Sequence, residues 1–224
     1  FHVSTDGAAN IVCRAEADDT RRCVTIGSHL DTVPGGGALD GALGVLVGLE
    51  CLRRLNEERL SLSHPVEVIA FTDEEGRFGA TLGSSAMAGA LGDDEPLTRA
   101  MASAGYDADA IRDARRDPGS MHAYLELHIE QGPRLHRAGV SIGLVEGITG
   151  LFCWNVHLVG QANHAGTTTM DLRRDAMAGV TDLYAGLSDL LGDAGSGQSV
   201  ATMGQVVLEP GVSNVVAGRA RCPL

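Results

Sequence analysis

The chain has 224 residues, 44% of them apolar, enough for one large domain or one and a half ordinary ones with a packed core. Its formal net charge is −12, and all 17 of its Lys+Arg residues are arginine. An acidic chain without basic clusters is a poor binder of nucleic acid or of an anionic membrane, and one without lysine carries no Schiff-base lysine, no pyridoxal phosphate attachment and no P-loop. A small molecule is the expected partner.

No apolar run reaches the length of about 18 residues that a membrane-spanning helix needs. The first residues, Phe1-His2-Val3-Ser4-Thr5-Asp6, include no initiator Met, basic segment or apolar leader, and read as the middle of a protein. The cysteines, Cys13, Cys23, Cys51, Cys153 and Cys222, are odd in number, scattered and never paired as Cys-x-x-Cys, which fits a reducing, cytoplasmic compartment.

In chain order, residues 10–15 form a short strand candidate, and a polar stretch over 16–22 turns the chain into a β-branched strand over 23–27, with a hairpin or edge pair between the two strands. Residues 27–44 are rich in glycine and contain Pro34, a loop that leads into an apolar helical pattern over 42–60. A mostly apolar run over 66–72 reads as a strand that delivers Asp73-Glu74-Glu75 to a loop. A short helix is expected over 84–91, polar surface structure over 92–119 with a helical patch at 107–116, and an alternating strand over 123–129 ending in Glu130-Gln131-Gly132-Pro133. Strands alternating with helices predict an α/β fold with a largely parallel sheet, in which ligands bind beyond the carboxyl ends of the strands. Near Glu146 the character changes to a strand over 151–159, a polar loop over 160–169, an amphipathic helix over 173–191, a turn over 192–198 and a strand over 199–208. The expected organisation is a catalytic α/β domain over 1–146 and a small α+β domain over 147–224.

Three strand-end clusters can converge on one point: His29 with Asp31 and Asp40, Asp73-Glu74-Glu75, and His128 with Glu130 and Gln131. Mixed imidazole and carboxylate donors suit zinc, manganese or cobalt, and a carboxylate can bridge two ions. The set points to a two-metal hydrolase in which one of the adjacent glutamates binds metal and the other handles a proton. Asp31, two residues after His29, is placed to orient that imidazole. Each piece has a plainer reading, His128 as a hydrogen-bonded core histidine, Asp73-Glu74-Glu75 as a solvated loop and Asp31 as a turn cap; their joint occurrence at successive strand ends favours the metal site.

The motifs Ser28-His29-Leu30-Asp31-Thr32-Val33-Pro34 with Gly36-Gly37 and Asp40-Gly41, Glu74-Glu75-Gly76, Leu127-His128-Ile129-Glu130-Gln131-Gly132-Pro133 and Asn163-His164-Ala165-Gly166-Thr167-Thr168 resemble the amidase and carbamoylase branch of the dinuclear zinc-peptidase clan. That branch contains N-carbamoyl-L-amino acid hydrolases, allantoate amidohydrolases and β-ureidopropionases. The resemblance runs from about Asp6 to Gly218 and implies a zinc-aminopeptidase-like catalytic domain with a ferredoxin-like lid, both incomplete here. It implies two divalent ions (Zn, or Mn, Co or Ni), with His29 and His128 as terminal ligands, Asp40 bridging, Glu75 on one ion and Glu74 as the general base. It assigns His164 to polarising the substrate carbonyl and Gln131 and Asn214 to the substrate carboxylate, and it implies a homodimer through the lid in the full-length form.

The implied activity is hydrolysis of linear C–N amide bonds in N-carbamoyl-L-amino acids or related ureido compounds. The alternatives are an exopeptidase of the same clan and a non-catalytic metal or small-molecule binding module. Leu151-Phe152-Cys153-Trp154 lacks the arginine that allantoate-type enzymes present nearby, which favours a carbamoyl amino acid. Many relatives carry one more residue between Glu-Glu-Gly and Arg-Phe-Gly than Glu74-Glu75-Gly76-Arg77-Phe78-Gly79 does, and Thr169 stands where proline is usual. The pattern would continue past Gly218 to a substrate-binding arginine and a last histidine ligand, so the chain reads as a fragment, expected to bind one ion better than two and to show little hydrolysis.

Overall fold

The computed structural model describes residues 1–16, 19–78, 81–91, 95–194 and 198–224. Of the segments named above, residues 17–18, Gly79, residues 92–94 and residues 195–197 lie outside the described residues. The chain divides into two compact units, Phe1–Gly143 and Leu144–Leu224.

The first unit is built on a five-stranded sheet of β1 (His2–Thr5), β2 (Ile11–Arg14), β3 (Cys23–His29), β4 (Val66–Phe71) and β5 (Met121–Leu125), in the order β1-β2-β4-β3-β5. Around β3 the pairing is parallel, to β4 and to β5, while β1–β2 and β2–β4 are antiparallel, so the sheet is mixed. The hairpin expected between β2 and β3 does not form. β2 pairs with β4 instead, and β1, a fully exposed strand with no apolar pattern, is held by its backbone ladder to β2.

β4 is buried along nearly its whole length because helices cover both faces. Successive side chains point to opposite sides. Val68 packs with Leu52 of α1 (Ala42–Glu57), whereas Ile69 packs with Met87 of α2 (Leu82–Ala88). α1 lies close on the sheet because Gly44 and Gly48 share its inner stripe. A Cβ at Gly48 would stand 2.9 Å from Ile26 Cγ2, and one at Gly44 would run into the Leu127 carbonyl and Ser28. The outer end of α1 carries the pairs Arg53–Glu50, Arg53–Glu57 and Arg54–Glu58 on a solvated face. The helix ends at Glu57, short of the expected 60, where Arg59 turns to φ 50° and Leu60 N donates to Leu55 O at 3.1 Å. α2 packs further on Met101 of α3 (Glu95–Ser103) and Ile111 of α4 (Ala108–Asp113).

One buried residue of β4 is ionic. Glu67 is fully buried, and its Oε2 accepts from Arg14 Nε at 2.7 Å and Nη2 at 2.6 Å. Its Oε1 accepts from Thr25 Oγ1 at 2.6 Å, from Cys23 Sγ at 3.2 Å and from Arg116. Burial acts to raise the Glu67 carboxyl, but the bonds from Arg116, Thr25 and Cys23 and the Arg116 charge outweigh it and hold the group below the usual carboxylate range.

β5 ends at Leu125, short of the expected 129, because its ladder to β3 stops at Ile26↔Leu125. Residues 126–130 therefore leave the sheet without regular structure, and residues 131–133 bend the chain into α5 (Arg134–Ala138).

The second unit holds a three-stranded antiparallel sheet of β6 (Asn155–Val159), β7 (Val207–Glu209) and β8 (Arg219–Pro223), ordered β6-β8-β7. α6 (Ala176–Ala194) packs Ala176 and Val180 on Ala220, with Leu158 and Leu208 beside them. The strand expected over 199–208 is reduced to β7, and β8, which alternates buried and exposed residues, is the central strand.

Candidate functional site

β3 ends at His29, and the glycine-rich loop returns the chain to the start of α1 through bonds from Gly36 N to Val33 O (2.8 Å) and Asp40 N to Gly37 O (3.0 Å). This brings Asp40, 2% exposed, beside His29, 5% exposed. Gly41, at φ 66°, lies against the His29 ring, and a Cβ at that position would overlap the imidazole. The left-handed backbone and the close approach both call for glycine.

His128, in the segment after β5, completes a cluster. His29, Asp40 and His128 are the group of possible ligands among the described residues whose donor atoms all lie within 4.8 Å of one another. His29 Nδ1 is 2.7 Å from the Asp31 carbonyl and His128 Nδ1 is 2.9 Å from the Ile129 carbonyl. A carbonyl only accepts, so each Nδ1 carries a proton, and in its neutral form each ring offers the lone pair of its Nε2. Those two Nε2 atoms stand 3.1 Å apart, and Asp40 Oδ1 is 3.6 Å from the one on His128. Two lone pairs and a buried carboxylate aimed at one spot repel unless a cation lies among them. Two imidazoles and a carboxylate are a fitting set for a zinc-type divalent ion.

The other candidate residues surround this cluster in different ways. The His29 ring is oriented by the main-chain oxygen of Asp31, whereas the Asp31 carboxylate lies 3.6 Å from Nδ1 and accepts the backbone N–H groups of Glu75 (2.9 Å) and Glu74 (3.4 Å). Asp31 thus ties the loop after β3 to the loop after β4. Asp73, at φ 55°, closes its own turn by accepting from Arg77 N and Phe78 N, and Glu130 accepts from Leu135 N at the start of α5. Neither carboxylate faces the cluster.

Gln131, also left-handed at φ 51°, donates through Nε2 to Asp40 Oδ1 at 2.7 Å and, more weakly, to Glu75 Oε1 at 3.4 Å. Glu75 is joined to the cluster through this amide and is not within the 4.8 Å group. Glu74 is likewise outside the 4.8 Å group, and its two oxygens accept from Ser84 N at 2.9 Å and Ser84 Oγ at 2.8 Å. Burial raises the Glu74 carboxyl above its ordinary value, against the lowering effect of the Ser84 bonds and the nearby His29. Ser84 carries no sequence signal of its own and is recognisable only once the Glu74 carboxylate is in place beside it, whereas Gly41 stands in the Asp40-Gly41 motif.

His164 and Asn214 belong to the second unit. His164 forms an isolated antiparallel bridge with Val215, and Ala165 N donates to the Asn214 carbonyl at 2.9 Å. Asn214, in a turn, therefore sits next to the bridge partner of His164.

The chain is similar to known proteins over nearly its whole length. Residues 25–216 match the sequence profile described as Peptidase family M20/M25/M40. An N-carbamoyl-L-amino acid amidohydrolase from Geobacillus stearothermophilus is 43% identical over 97% of this chain, which covers 56% of that relative. An allantoate deiminase from Arabidopsis thaliana is 35% identical over 96% of the chain and 47% of its own length. The crystal structure of a hydantoinase/carbamoylase family amidase from Burkholderia ambifaria superposes with a TM-score of 0.74 at 37% identity, over 99% of this chain and 56% of that one. The chain thus spans about half the length of the relatives it matches. With a family match that runs from the middle of β3 to the segment before β8, the chain belongs to Peptidase family M20/M25/M40.

Proposed function

We propose that the full-length protein is a metal-dependent amidohydrolase that cleaves linear C–N bonds of N-carbamoyl-L-amino acids or related ureido compounds. The observation that carries this reading is the convergence of His29 Nε2, His128 Nε2 and Asp40 Oδ1, in a chain whose relatives include carbamoyl-amino-acid amidohydrolases.

His29, His128 and Asp40 would hold one divalent ion, zinc or else manganese, cobalt or nickel, and Asp40 with Glu75 would reach a second. Such ions make bound water acidic and polarise the scissile carbonyl. The chain's own residues handle protons and substrate. Glu74, raised by burial and oriented by Ser84, takes a proton from the attacking water as the new C–O bond forms, and returns it to the leaving nitrogen as the C–N bond breaks. Asp31 holds the Glu74 and Glu75 backbone against the His29 loop. Gln131 and Asn214 bind the substrate carboxylate and His164 donates to its carbonyl. Residues 1–146 act as the catalytic domain and 147–224 as a lid, through which the protein forms a homodimer. The expected compartment is the cytoplasm, consistent with five free cysteines. No described helix is long and apolar enough to cross a membrane.

The test is a panel of N-carbamoyl-L-amino acids, allantoate and dipeptides given to the full-length protein, with metal content measured beside it. Turnover of the ureido substrates supports the proposal. Turnover of dipeptides alone makes the protein an exopeptidase, and bound metal without turnover makes it a binding module.

A further inference from the structure

The second unit contains a turn built to hold one imidazole in one protonation form. His164 Nδ1 accepts the backbone N–H of Gly166 at 3.1 Å. A ring nitrogen that accepts carries no proton, so the neutral ring has its proton on Nε2 and is a donor there. The turn closes through Thr168 N to His164 O at 3.1 Å, and a Cβ on Gly166 would lie 3.2 Å from His164 Cε1, so ring and turn are in close contact.

One side chain spans this turn. The half-buried Arg173 donates from Nη2 to the Ala165 carbonyl at 2.7 Å and from Nε to the Thr168 carbonyl at 3.1 Å. A guanidinium offers these donors in one rigid plane, so the two carbonyls are held at a fixed separation. Its own backbone is anchored, since Arg174 O accepts from Gln161 N at 2.7 Å and Ala176 N donates to Ala217 O at 2.9 Å. The far side of the turn is tied by Ala165 N to Asn214 O and Val216 N to Asn163 O, each 2.9 Å.

We propose that Arg173 is a positioning residue that holds the 164–168 turn so that His164 presents a neutral Nε2–H donor. An amide or ureido carbonyl is an acceptor only, and a donor fixed in place before substrate arrives loses no ordering entropy when the carbonyl takes on charge. This rests on the assignment of His164 to the substrate carbonyl made above.

The experiment uses the full-length protein labelled with 15N-histidine. The His164 ring signals are identified by their loss in His164→Gln, and the tautomer is read by NMR in wild type, Arg173→Ala and Arg173→Lys, with metal content, kcat and KM measured alongside. The expected result is a single Nε2–H tautomer in wild type, a mixture of both tautomers in Arg173→Ala with metal content unchanged, and a kcat about 10²-fold lower. Arg173→Lys, which keeps the charge but not the planar pair of donors, should fall between them, and it decides the matter if the alanine variant does not fold. A single Nε2–H tautomer in the variant that folds overturns the proposal. Wild-type kcat in His164→Gln would instead remove the assignment of His164 to substrate, leaving the tautomer result to decide the role of Arg173.

Discussion

His29 Nε2 and His128 Nε2 lie 3.1 Å apart with the Nδ1 of each ring turned to a carbonyl, so in their neutral forms the two imidazoles face each other through lone pairs. Their meeting joins the end of β3 to the segment beyond β5. Asp40 supplies the adjacent negative charge, while the Glu75 carboxylate is linked to it through Gln131. The 224-residue chain should therefore bind one divalent ion better than two. Calorimetric titration with zinc would show one strong site, and two sites of similar strength would place Glu75 among the primary donors.

Glu74→Gln in the full-length protein should keep its metal and fold, because the amide is nearly isosteric and one oxygen still accepts from Ser84. It cannot accept a proton, and removing a general base costs about 10²–10⁴-fold in rate. Steady-state kinetics with metal content measured in parallel decides this. Retained activity would assign the base to another group.

Gly41→Ala tests the packing behind the first imidazole. The substitution places a Cβ in the His29 ring and puts a non-glycine residue at φ 66° and ψ −47°, a sparsely populated conformation that costs on the order of 1–3 kcal/mol by itself. The ring must move, so metal affinity should drop by far more than the melting temperature suggests. A variant with wild-type affinity would show that the ring is free to shift without losing its ligand geometry.

Glu67 supplies a prediction about stability rather than chemistry. Its carboxyl is held below the ordinary glutamate value of about 4.3, so its contribution is fully present above that value and is lost as pH falls through the lower folded-state value. Glu67→Ala leaves Arg14 and Arg116 facing a buried site with no counter-charge, which should cost about 3–5 kcal/mol. Urea unfolding of wild type and Glu67→Gln from neutral pH into the acid range checks the sign. The gap between them should narrow as pH falls, and a gap that stays constant would contradict it.

The parts of the fold legible in the sequence are those set by local patterns. The β-branched run into His29, the glycine loop and the apolar start of α1 are all local signals, as are the strand before Glu74 and the amphipathic α6. β1 escaped notice because its four exposed residues are ordered only by the ladder to β2. Glu67 reads as one polar residue in an apolar strand. Its partners lie 53 and 49 residues away, and only the tertiary fold brings them there. Within the site, the convergence of His29, Asp40 and His128 was foreseeable from strand ends. The use of the Asp31 main-chain oxygen in place of its carboxylate, and the grip of Ser84 on Glu74, depend on backbone geometry that no residue spacing specifies.

The most direct test of the central claim is metal content and N-carbamoyl-L-amino acid turnover of the full-length protein, before chelation, after it and after the metal is returned, with Asp40→Ala and His128→Ala beside it. The account predicts that chelation abolishes turnover and that zinc or manganese restores it. It also predicts that Asp40→Ala, losing a carboxylate shared by two ions, sheds more metal than His128→Ala. Full turnover by metal-free protein, or by Asp40→Ala, would contradict it.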